Sequence, residues 1–246
     1  MTLVTQSLPT AKAQPEKVPP LRNGDRLTAE EFERRYDATP GLKKAELING
    51  VVYMAPPVTL DDHGGPHFDI IAWLGSYRIA TPGVRGGDNA TLRLPLANRP
   101  QPDACLIILP SHGGQVQIDS SGYIVGAPEL VAEVAATSAS YDLHDKLDLY
   151  LQVGVREYLV WRVFDRAIDW FVLRGGQYER LAPTPDGLYK SEVLPGLWLD
   201  PAALMDGDMV RVAQVQQQGN ASPEHLAFVA RLQQAAALQP PAGGGP

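Results

Sequence analysis

The first part of the chain contains short stretches in which apolar and polar residues alternate in regular patterns. Thr28 followed by Glu31 forms a capping box, which predicts a short helix over residues 29–35. Asn49-Gly50 separates two apolar runs, and this dipeptide predicts a tight β-hairpin. The pattern therefore predicts that a helix and a hairpin open the folded part of the chain.

The rest of the chain alternates between nearly continuous apolar runs and amphipathic segments. The spacing predicts strands over residues 91–96, 103–109, 129–134, 157–164, 167–173 and 177–181, with a small surface hairpin over 112–126. It predicts further helices over residues 66–77, 140–153 and 223–237, the last with Ser222 as its N-cap. The strand–helix–strand order over 129–164 favours a parallel pair with a right-handed crossover.

These elements predict an α/β fold, in which a mixed β-sheet is flanked by helices on its faces. The compositional shifts suggest four parts: a disordered arm over residues 1–25, the α/β domain over 26–200, a helical extension over 201–238 and a disordered tail over 239–246. The two ends are assigned to disorder because they are rich in Pro, Gly, Ala or Gln and show no periodicity.

The charge balance argues against a basic surface spread over the whole chain. The sequence has 21 Lys and Arg against 28 Asp and Glu, which gives a formal net charge of -7. A protein that binds nucleic acid through its overall field is usually basic. Any contact with nucleic acid therefore needs a local basic face, or metal ions that offset the acidity.

The cysteine count and the hydropathy suggest where the protein acts. Cys105 is the single cysteine and lies in an apolar run, so it reads as a buried apolar residue rather than half of a disulfide. The N-terminus lacks the apolar core of a signal peptide. No segment approaches the ~20 apolar residues of a membrane span. We expect a cytoplasmic protein without a membrane partner.

Two carboxylates interrupt strands that are otherwise apolar. Asp103 opens the run 104–109, and Glu133 lies inside the run 130–135. A lone buried charge is costly unless it is paired or bound to a metal ion. If the two strands are neighbours, the carboxylates converge, and two such ligands are a typical protein share of a Mg²⁺ site. A metal ion held there would activate water beside a phosphodiester.

A third candidate lies on the predicted helix after Glu133. Asp142, Lys146 and Tyr150 are spaced four residues apart, so they share one face of that helix. Lys146 could therefore join the carboxylates in a site. The alternative is an ordinary surface ion pair between Asp142 and Lys146, which the spacing alone favours.

The order of several short motifs resembles a known family. The motifs are Glu46-Leu-Ile-Asn-Gly, a His-initiated helix, Pro102-Asp103, Ala-Pro-Glu-Leu-Val-Ala-Glu-Val over 127–134, and Asp142-x-x-x-Lys146-x-x-x-Tyr150-x-x-x-Gly154-Val-x-Glu157-Tyr158. Together they resemble the Uma family, formerly a domain of unknown function, which belongs to the PD-(D/E)XK nuclease superfamily. The resemblance covers about residues 27–199. It implies a restriction-endonuclease-like mixed sheet flanked by helices, with an N-terminal hairpin.

The resemblance also implies roles for individual residues. Asp103 and Glu133 would be the two acids of the superfamily motif and would ligate Mg²⁺ or Mn²⁺. The lysine of that motif should stand two residues after Glu133, where this chain has Ala135. The family resembled here carries a lysine on the following helix instead, and this position matches Lys146. The implied catalytic set is therefore Asp103, Glu133 and Lys146.

Further residues are candidates for the same site. Glu46 matches an acid of the family's first hairpin, either as a further ligand or as the partner of a basic side chain. His63 and His67 flank Gly64-Gly65-Pro66, which makes a shared zinc site less favoured than a position for His67 lining the site. Asp142 and Tyr150 complete the set of additional site residues.

Two functions remain open at this stage. One is a Mg²⁺- or Mn²⁺-dependent endonuclease that hydrolyses phosphodiester bonds, with DNA as the expected partner and a homodimer as one expected assembly. The other is a catalytically weak or inactive nuclease-fold protein that acts as a binding or assembly module, which Ala135 and the acidic charge favour. The sequence contains no motif of another hydrolase class, such as a Gly-x-Ser-x-Gly elbow.

Overall fold

A computed structural model describes residues 17–238 of the chain. The helices are α1 Ala29–Asp37, α2 Gly65–Ala80, α3 Ala139–Leu143, α4 Asp145–Val153, α5 Pro201–Met205, α6 Met209–Asn220 and α7 Pro223–Ala237. The strands are β1 Ala45–Ile48, β2 Val51–Met54, β3 Val84–Asp88, β4 Leu92–Arg93, β5 Ala104–Ile108, β6 Gln117–Ile118, β7 Ile124–Val125, β8 Leu130–Ala135, β9 Glu157–Arg162, β10 Ala167–Arg174, β11 Gln177–Arg180, β12 Tyr189–Lys190 and β13 Trp198–Leu199. A π-helical turn, Leu60–Gly64, leads into α2.

A six-stranded sheet in the order β11-β10-β9-β8-β5-β3 forms the centre of the molecule. Strands β8 and β9 are parallel, and the other neighbouring pairs in this sheet are antiparallel. The parallel pair is the one that the strand–helix–strand order predicted, with α3 and α4 in the connection. The mixed α/β class expected from the sequence is confirmed.

Both faces of the central sheet are covered, which explains why its strands are nearly continuously apolar. Side chains alternate between the faces, so Leu130, Ala132 and Val134 of β8 join a core cluster with α2. Val131 and Ala135 point to the other face, where they pack in a second cluster with residues of α4. Glu133 has the same parity as Val131 and Ala135, so it belongs to the face beside α4.

The N-terminal hairpin forms where Asn49-Gly50 predicted it. Asn49 and Gly50 have φ values of 50° and 76° between β1 and β2, as a two-residue turn of the I′ type requires. Backbone hydrogen bonds in both directions between Leu47 and Arg99 attach the hairpin to the segment before β5. This attachment fixes β1 beside the acidic end of β5.

Several elements differ from the pattern-based expectation. The helix predicted over 140–153 is interrupted at His144, whose φ of -126° and ψ of -79° separate α3 from α4. Strand β3 was not predicted, because its sequence Val-Arg-Gly-Gly-Asp has little apolar character. It forms because the edge of the apolar strand β5 supplies a partner for its backbone groups.

The strand predicted over 91–96 is also shorter than its alternation suggested. Only β4 pairs regularly, and the chain turns at Leu96 and Ala97, which have φ values of 56° and 60°. A local turn thus replaces the last residues of the predicted strand. The small hairpin expected over 112–126 is present as β6 and β7, with β4 parallel to β7.

The ends of the described chain pack against the domain. Residues 1–16 of the predicted arm and 239–246 of the predicted tail lie outside the described residues. Within the remainder of the arm, Leu21 is buried and the Gly24 N–H donates to the Val52 carbonyl. Phe228 and Leu232 of α7 belong to the same core as Trp73 of α2, so the C-terminal helices share the core of the sheet. No helix within residues 17–238 combines the length and apolar character needed to cross a bilayer.

Candidate active site

The register of the central sheet brings Asp103 and Glu133 together. Ala104 of β5 pairs with Ala132 of β8, so the next antiparallel pair along the strands is Asp103 opposite Glu133. The Asp103 N–H donates to Glu133 Oε2 at 3.4 Å, and the Val134 N–H donates to Asp103 Oδ2 at 2.8 Å. Both carboxylates are almost fully buried, with 3% and 2% of their residues exposed. The two acids therefore converge, as their positions in the sequence suggested.

Lys146 reaches this pair from α4. Its Nζ lies 2.9 Å from Glu133 Oε1, 3.2 Å from Glu46 Oε2 and 3.5 Å from Asp142 Oδ1. The side chains of Lys146 and Asp142 are 4% and 3% exposed, so their pairing is not the surface ion pair that spacing alone favoured. Three carboxylates, one each from β1, β8 and α3, thus share one buried amine.

The interruption at His144 does not separate the residues that were expected on one helix face. Asp142 lies on α3, whereas Lys146 and Tyr150 lie one turn apart on α4. The Tyr150 hydroxyl donates to Glu133 Oε1 at 3.2 Å. Lys146 and Tyr150 thus contact Glu133 directly, and Asp142 joins them through Lys146, from two short helices rather than one.

Glu46 of β1 is held in place by the segment before β5. Its Oε1 accepts a hydrogen bond of 2.7 Å from the Gln101 N–H, while its Oε2 faces Lys146. Of the two roles left open for Glu46, the geometry shows the pairing with a basic side chain.

Asp103 has partners that the sequence reasoning missed. Lys44 Nζ lies 2.8 Å from Asp103 Oδ1, and His63 Nε2 lies 3.2 Å from Asp103 Oδ2. One available signal was strand alternation, since Lys44 immediately precedes β1 and is two residues before Glu46. The placement of His63 has no such local signal, because it depends on the tertiary contact between the π-helical turn and Asp103.

The two histidines have different positions at the site. The His67 ring donates through Nε2 to the backbone carbonyl of Asp103 at 2.9 Å and lies 3.2 Å from Asp88 Oδ1. His63, in contrast, contacts the carboxylate of Asp103 and lines the cavity beside it. His67 therefore supports the backbone behind the cavity, whereas the sequence reasoning preferred it as a lining residue.

The surroundings lower the pKa of Asp103 and raise the pKa of Glu133. Burial alone would raise the pKa of Asp103, but the hydrogen bond from His63 and the charge of Lys44 outweigh it and hold that pKa well below its usual range. Burial and three neighbouring carboxylates raise the pKa of Glu133 to about 8, although Lys146 opposes the shift. Burial also lowers the pKa of Lys146, but the surrounding carboxylates outweigh it and hold the value well above normal. The site therefore has more acid than its amines neutralise.

A cavity of about 290 Å³ opens beside these residues. Residues 54–59 form one of its sides, and Pro56, Pro57 and Val58 of this segment are exposed. The lining also includes the buried acids and both lysines: Lys44, Glu46, Asp103, Glu133, Asp142 and Lys146. The charged cluster is thus accessible from one cavity, although each acid is almost fully buried.

The donor set fits a hard divalent cation such as Mg²⁺. Four buried carboxyls share two lysines, so the ionised cluster has a surplus of negative charge. Glu133 Oε2 accepts a single long hydrogen bond, of 3.4 Å, and so retains capacity for another partner. Across residues 17–238 no group of three His, Cys, Asp or Glu side chains is arranged so that it could coordinate a metal ion. The described residues therefore suit an ion that takes two carboxylate ligands and fills its other positions with water. Asp103 and Glu133 are the residues that would hold it.

Comparison with known proteins places the chain in a family. The family model Uma2, described as "Putative restriction endonuclease", matches residues 29–202. The fold is similar to the crystal structure of a "putative nuclease belonging to DUF820" from Anabaena variabilis, with a TM-score of 0.53 and 15% sequence identity over 73% of this chain and 99% of that one. A search of curated proteins gave no match. Because the family model spans well over half of its residues and the described fold agrees, the chain belongs to the Uma2 family.

Proposed function

We propose that this protein is a divalent-metal-dependent endonuclease that hydrolyses phosphodiester bonds of nucleic acid, with DNA as its substrate. The observation that carries the proposal is the convergence of Asp103 and Glu133 from adjacent strands, with the buried Lys146 amine 2.9 Å from Glu133. Two acids and an amine that line one cavity are side chains suited to metal-assisted hydrolysis of a phosphodiester. Family membership supports the same class of reaction.

Asp103 and Glu133 would hold Mg²⁺ or Mn²⁺ at the cavity. When bound, such an ion lowers the pKa of a water ligand and neutralises charge on the phosphate. Lys44 and His63 already contact the two Asp103 oxygens, so a bound ion would share this carboxylate with them.

Lys146 takes the place of the lysine that is missing at Ala135. Ala135 lies on the same face of β8 as Glu133, two residues further along, and a lysine there would point toward the same acid. Lys146 delivers its amine to Glu133 from α4 instead. In the proposed reaction its ammonium orients the attacking water and stabilises the negative charge that develops on the phosphate.

The remaining acids and the tyrosine keep this amine in position. Glu46 and Asp142 flank Lys146 on two sides, and Tyr150 donates to the same Glu133 oxygen that Lys146 contacts. Groups that fix the rotamers of reacting residues reduce the reorganisation needed during the reaction. We assign Glu46, Asp142 and Tyr150 this positioning role.

The test is cleavage of plasmid, single-stranded DNA and RNA with Mg²⁺ or Mn²⁺, compared among matched variants. Asp103→Asn and Glu133→Gln should each reduce cleavage about 10³-fold, which corresponds to roughly 4 kcal/mol of lost transition-state stabilisation. Glu157→Gln is the matched control, since it changes another buried strand acid that does not line the cavity. This control should cleave like the unmodified protein.

Each alternative has a distinct outcome in the same experiment. Cleavage that persists in Asp103→Asn would come from a contaminating nuclease and would contradict the assignment. Mg²⁺ binding that depends on Glu133, without cleavage of any substrate, would instead support a nuclease-fold binding module.

A further inference from the structure

Tyr141 of α3 has a hydroxyl that nothing in the described chain satisfies. The residue lines the cavity, and its oxygen is buried without a hydrogen-bond partner among residues 17–238. Buried polar groups are bonded in the great majority of cases, so each exception calls for an explanation. The neighbouring hydroxyls of Tyr150 and Tyr158 follow the rule, since they donate to Glu133 Oε1 and to the Asp142 carbonyl.

Packing fixes the Tyr141 ring at the cavity wall. The ring of Tyr53, from β2, lies with its centroid 4.4 Å from that of Tyr141, at an interplanar angle of 35°. The Lys146 ammonium lies 5.4 Å from the Tyr141 ring centroid. With an aromatic neighbour and a buried cation against it, the ring cannot turn its hydroxyl to solvent without breaking these contacts.

A second polar atom at the same cavity is also without a partner. His63 Nδ1 is buried and unbonded within residues 17–238, although His63 Nε2 contacts Asp103. His63 and Tyr141 both line this cavity, so a polar occupant of the cavity is the partner that would satisfy both atoms.

The chemistry of Tyr141 defines which atom of the occupant it can contact. Burial raises the pKa of Tyr141 well above its usual value, so the hydroxyl stays protonated and serves as a donor. Both lysines at the cavity are already paired with carboxylates, so they do not replace this donor. The matching partner is an acceptor oxygen, and a phosphodiester presents two unbridged oxygens of this kind.

We propose that Tyr141 is a substrate-binding residue whose hydroxyl donates a hydrogen bond to an unbridged phosphate oxygen of the bound nucleic acid. This inference rests on the proposed function, because it takes the cavity to be where the phosphate is bound. It adds a neutral donor to a cavity that is also lined by carboxylates and lysines. The Tyr53 ring acts through Tyr141 by holding it in place.

The experiment compares Tyr141→Phe with the unmodified protein. This change removes one oxygen and keeps the ring contact with Tyr53. Binding of a fluorescent single-stranded oligonucleotide is measured with Ca²⁺ in place of Mg²⁺, and cleavage of the same oligonucleotide is measured with Mg²⁺. We expect affinity and kcat/KM to fall roughly 10-fold or more, as for loss of a hydrogen bond to a charged group. The melting temperature should stay equal or rise, because no partner is left unpaired.

Tyr178→Phe is the matched control. The Tyr178 hydroxyl donates to the Val155 carbonyl at 2.8 Å and does not line the cavity. Its removal should lower the melting temperature and leave binding and cleavage unchanged. The two variants thus separate a substrate contact from a structural hydrogen bond.

The outcomes distinguish this inference from the proposed function. If the unmodified protein binds and cleaves but Tyr141→Phe does so equally well, the hydroxyl meets only water and the inference is wrong while the function stands. If the unmodified protein binds without cleaving and Tyr141→Phe loses affinity, the phosphate contact stands and catalysis fails. If the unmodified protein neither binds nor cleaves, both proposals fail.

Discussion

Buried carboxylates occur in two kinds of environment in this sheet, and the comparison shows what distinguishes a site. Glu157 of β9 is fully buried and accepts hydrogen bonds from the Ser191 hydroxyl and from the backbone N–H groups of Glu192 and Val193. Three donors from one connecting segment satisfy one acid. Glu133 of the adjacent strand β8 instead shares a single lysine with two other acids beside a cavity.

The difference corrects a simple reading of the sequence. An acid that begins or interrupts an apolar strand predicts a paired or metal-bound charge, and Glu157, the first residue of β9, meets that criterion as well as Glu133 does. At Glu157 one connecting segment supplies donors to both carboxyl oxygens, so no further ligand is needed to bond them. At Glu133 the acids outnumber the amines, and a cavity leaves room for a ligand. Shared counter-charges and an open cavity, rather than burial, mark the candidate active site.

The pKa values of the two acids differ in origin. Burial raises the pKa of Glu157 to about 7, and its hydrogen-bond donors oppose the shift. Burial and, to a smaller extent, the nearby carboxylates raise the pKa of Glu133 to about 8 against the opposing charge of Lys146. A bound cation can offset the repulsion between neighbouring carboxylates at Glu133. It cannot offset the burial that raises the pKa of Glu157. We therefore expect the two acids to respond differently to added metal ions.

The largest effect should come from removing the shared amine. Lys146→Met leaves three acids without their common partner, and breaking a buried ion pair in this way costs about 3–5 kcal/mol of stability. Cleavage should fall roughly 10²- to 10⁴-fold, the usual contribution of a residue that assists proton transfer or charge stabilisation. Both quantities are measured by denaturant unfolding and by initial cleavage rates.

Two further variants give the lysine prediction its controls. Lys146→Arg keeps the charge and should restore much of the stability, so it remains usable if Lys146→Met does not fold. Arg166→Met breaks an exposed pair with Asp206 and should cost less than about 1 kcal/mol. Equal losses of stability in Lys146→Met and Arg166→Met would contradict the buried shared amine.

The next effect concerns the pH dependence of stability at Glu157. Its pKa is raised from 4.5 to about 7 in the folded protein, so the neutral acid favours folding. This contribution is fully present below about pH 4.5 and is lost as the pH rises to about 7, with a total of roughly 3 kcal/mol. In Glu157→Gln this part of the pH dependence should be absent from unfolding curves measured between pH 4.5 and 8. An unchanged slope in the variant would show that Glu157 does not titrate in this range.

A smaller effect is expected when Mg²⁺ is added to the unmodified protein. A ligand at 100 times its Kd that binds the folded state alone stabilises it by about 2.7 kcal/mol. The melting temperature should therefore rise with increasing Mg²⁺ for the unmodified protein and for Glu157→Gln, but not for Glu133→Gln. A rise in Glu133→Gln equal to that of the other two would place the ion elsewhere.

Much of the fold could be predicted from local patterns. The hairpin at Asn49-Gly50 and the cap at Ser222 follow from backbone preferences that act over a few residues. The break at His144 and the edge strand β3 could not be predicted in this way. A polar strand forms because a neighbour offers hydrogen-bond partners, and the sequence of the strand does not contain that neighbour.

For the candidate site, the sequence alone predicted the acids Asp103 and Glu133 and, through the order of the motifs, Lys146. Tertiary structure decided their partners. Lys44 meets Asp103 across 59 residues of chain, and His63 meets it across 40. The physical reason is that alternation and spacing report which face of an element a residue occupies, whereas strand order and register decide which faces meet. The unpaired hydroxyl of Tyr141 is visible only once those faces enclose a cavity.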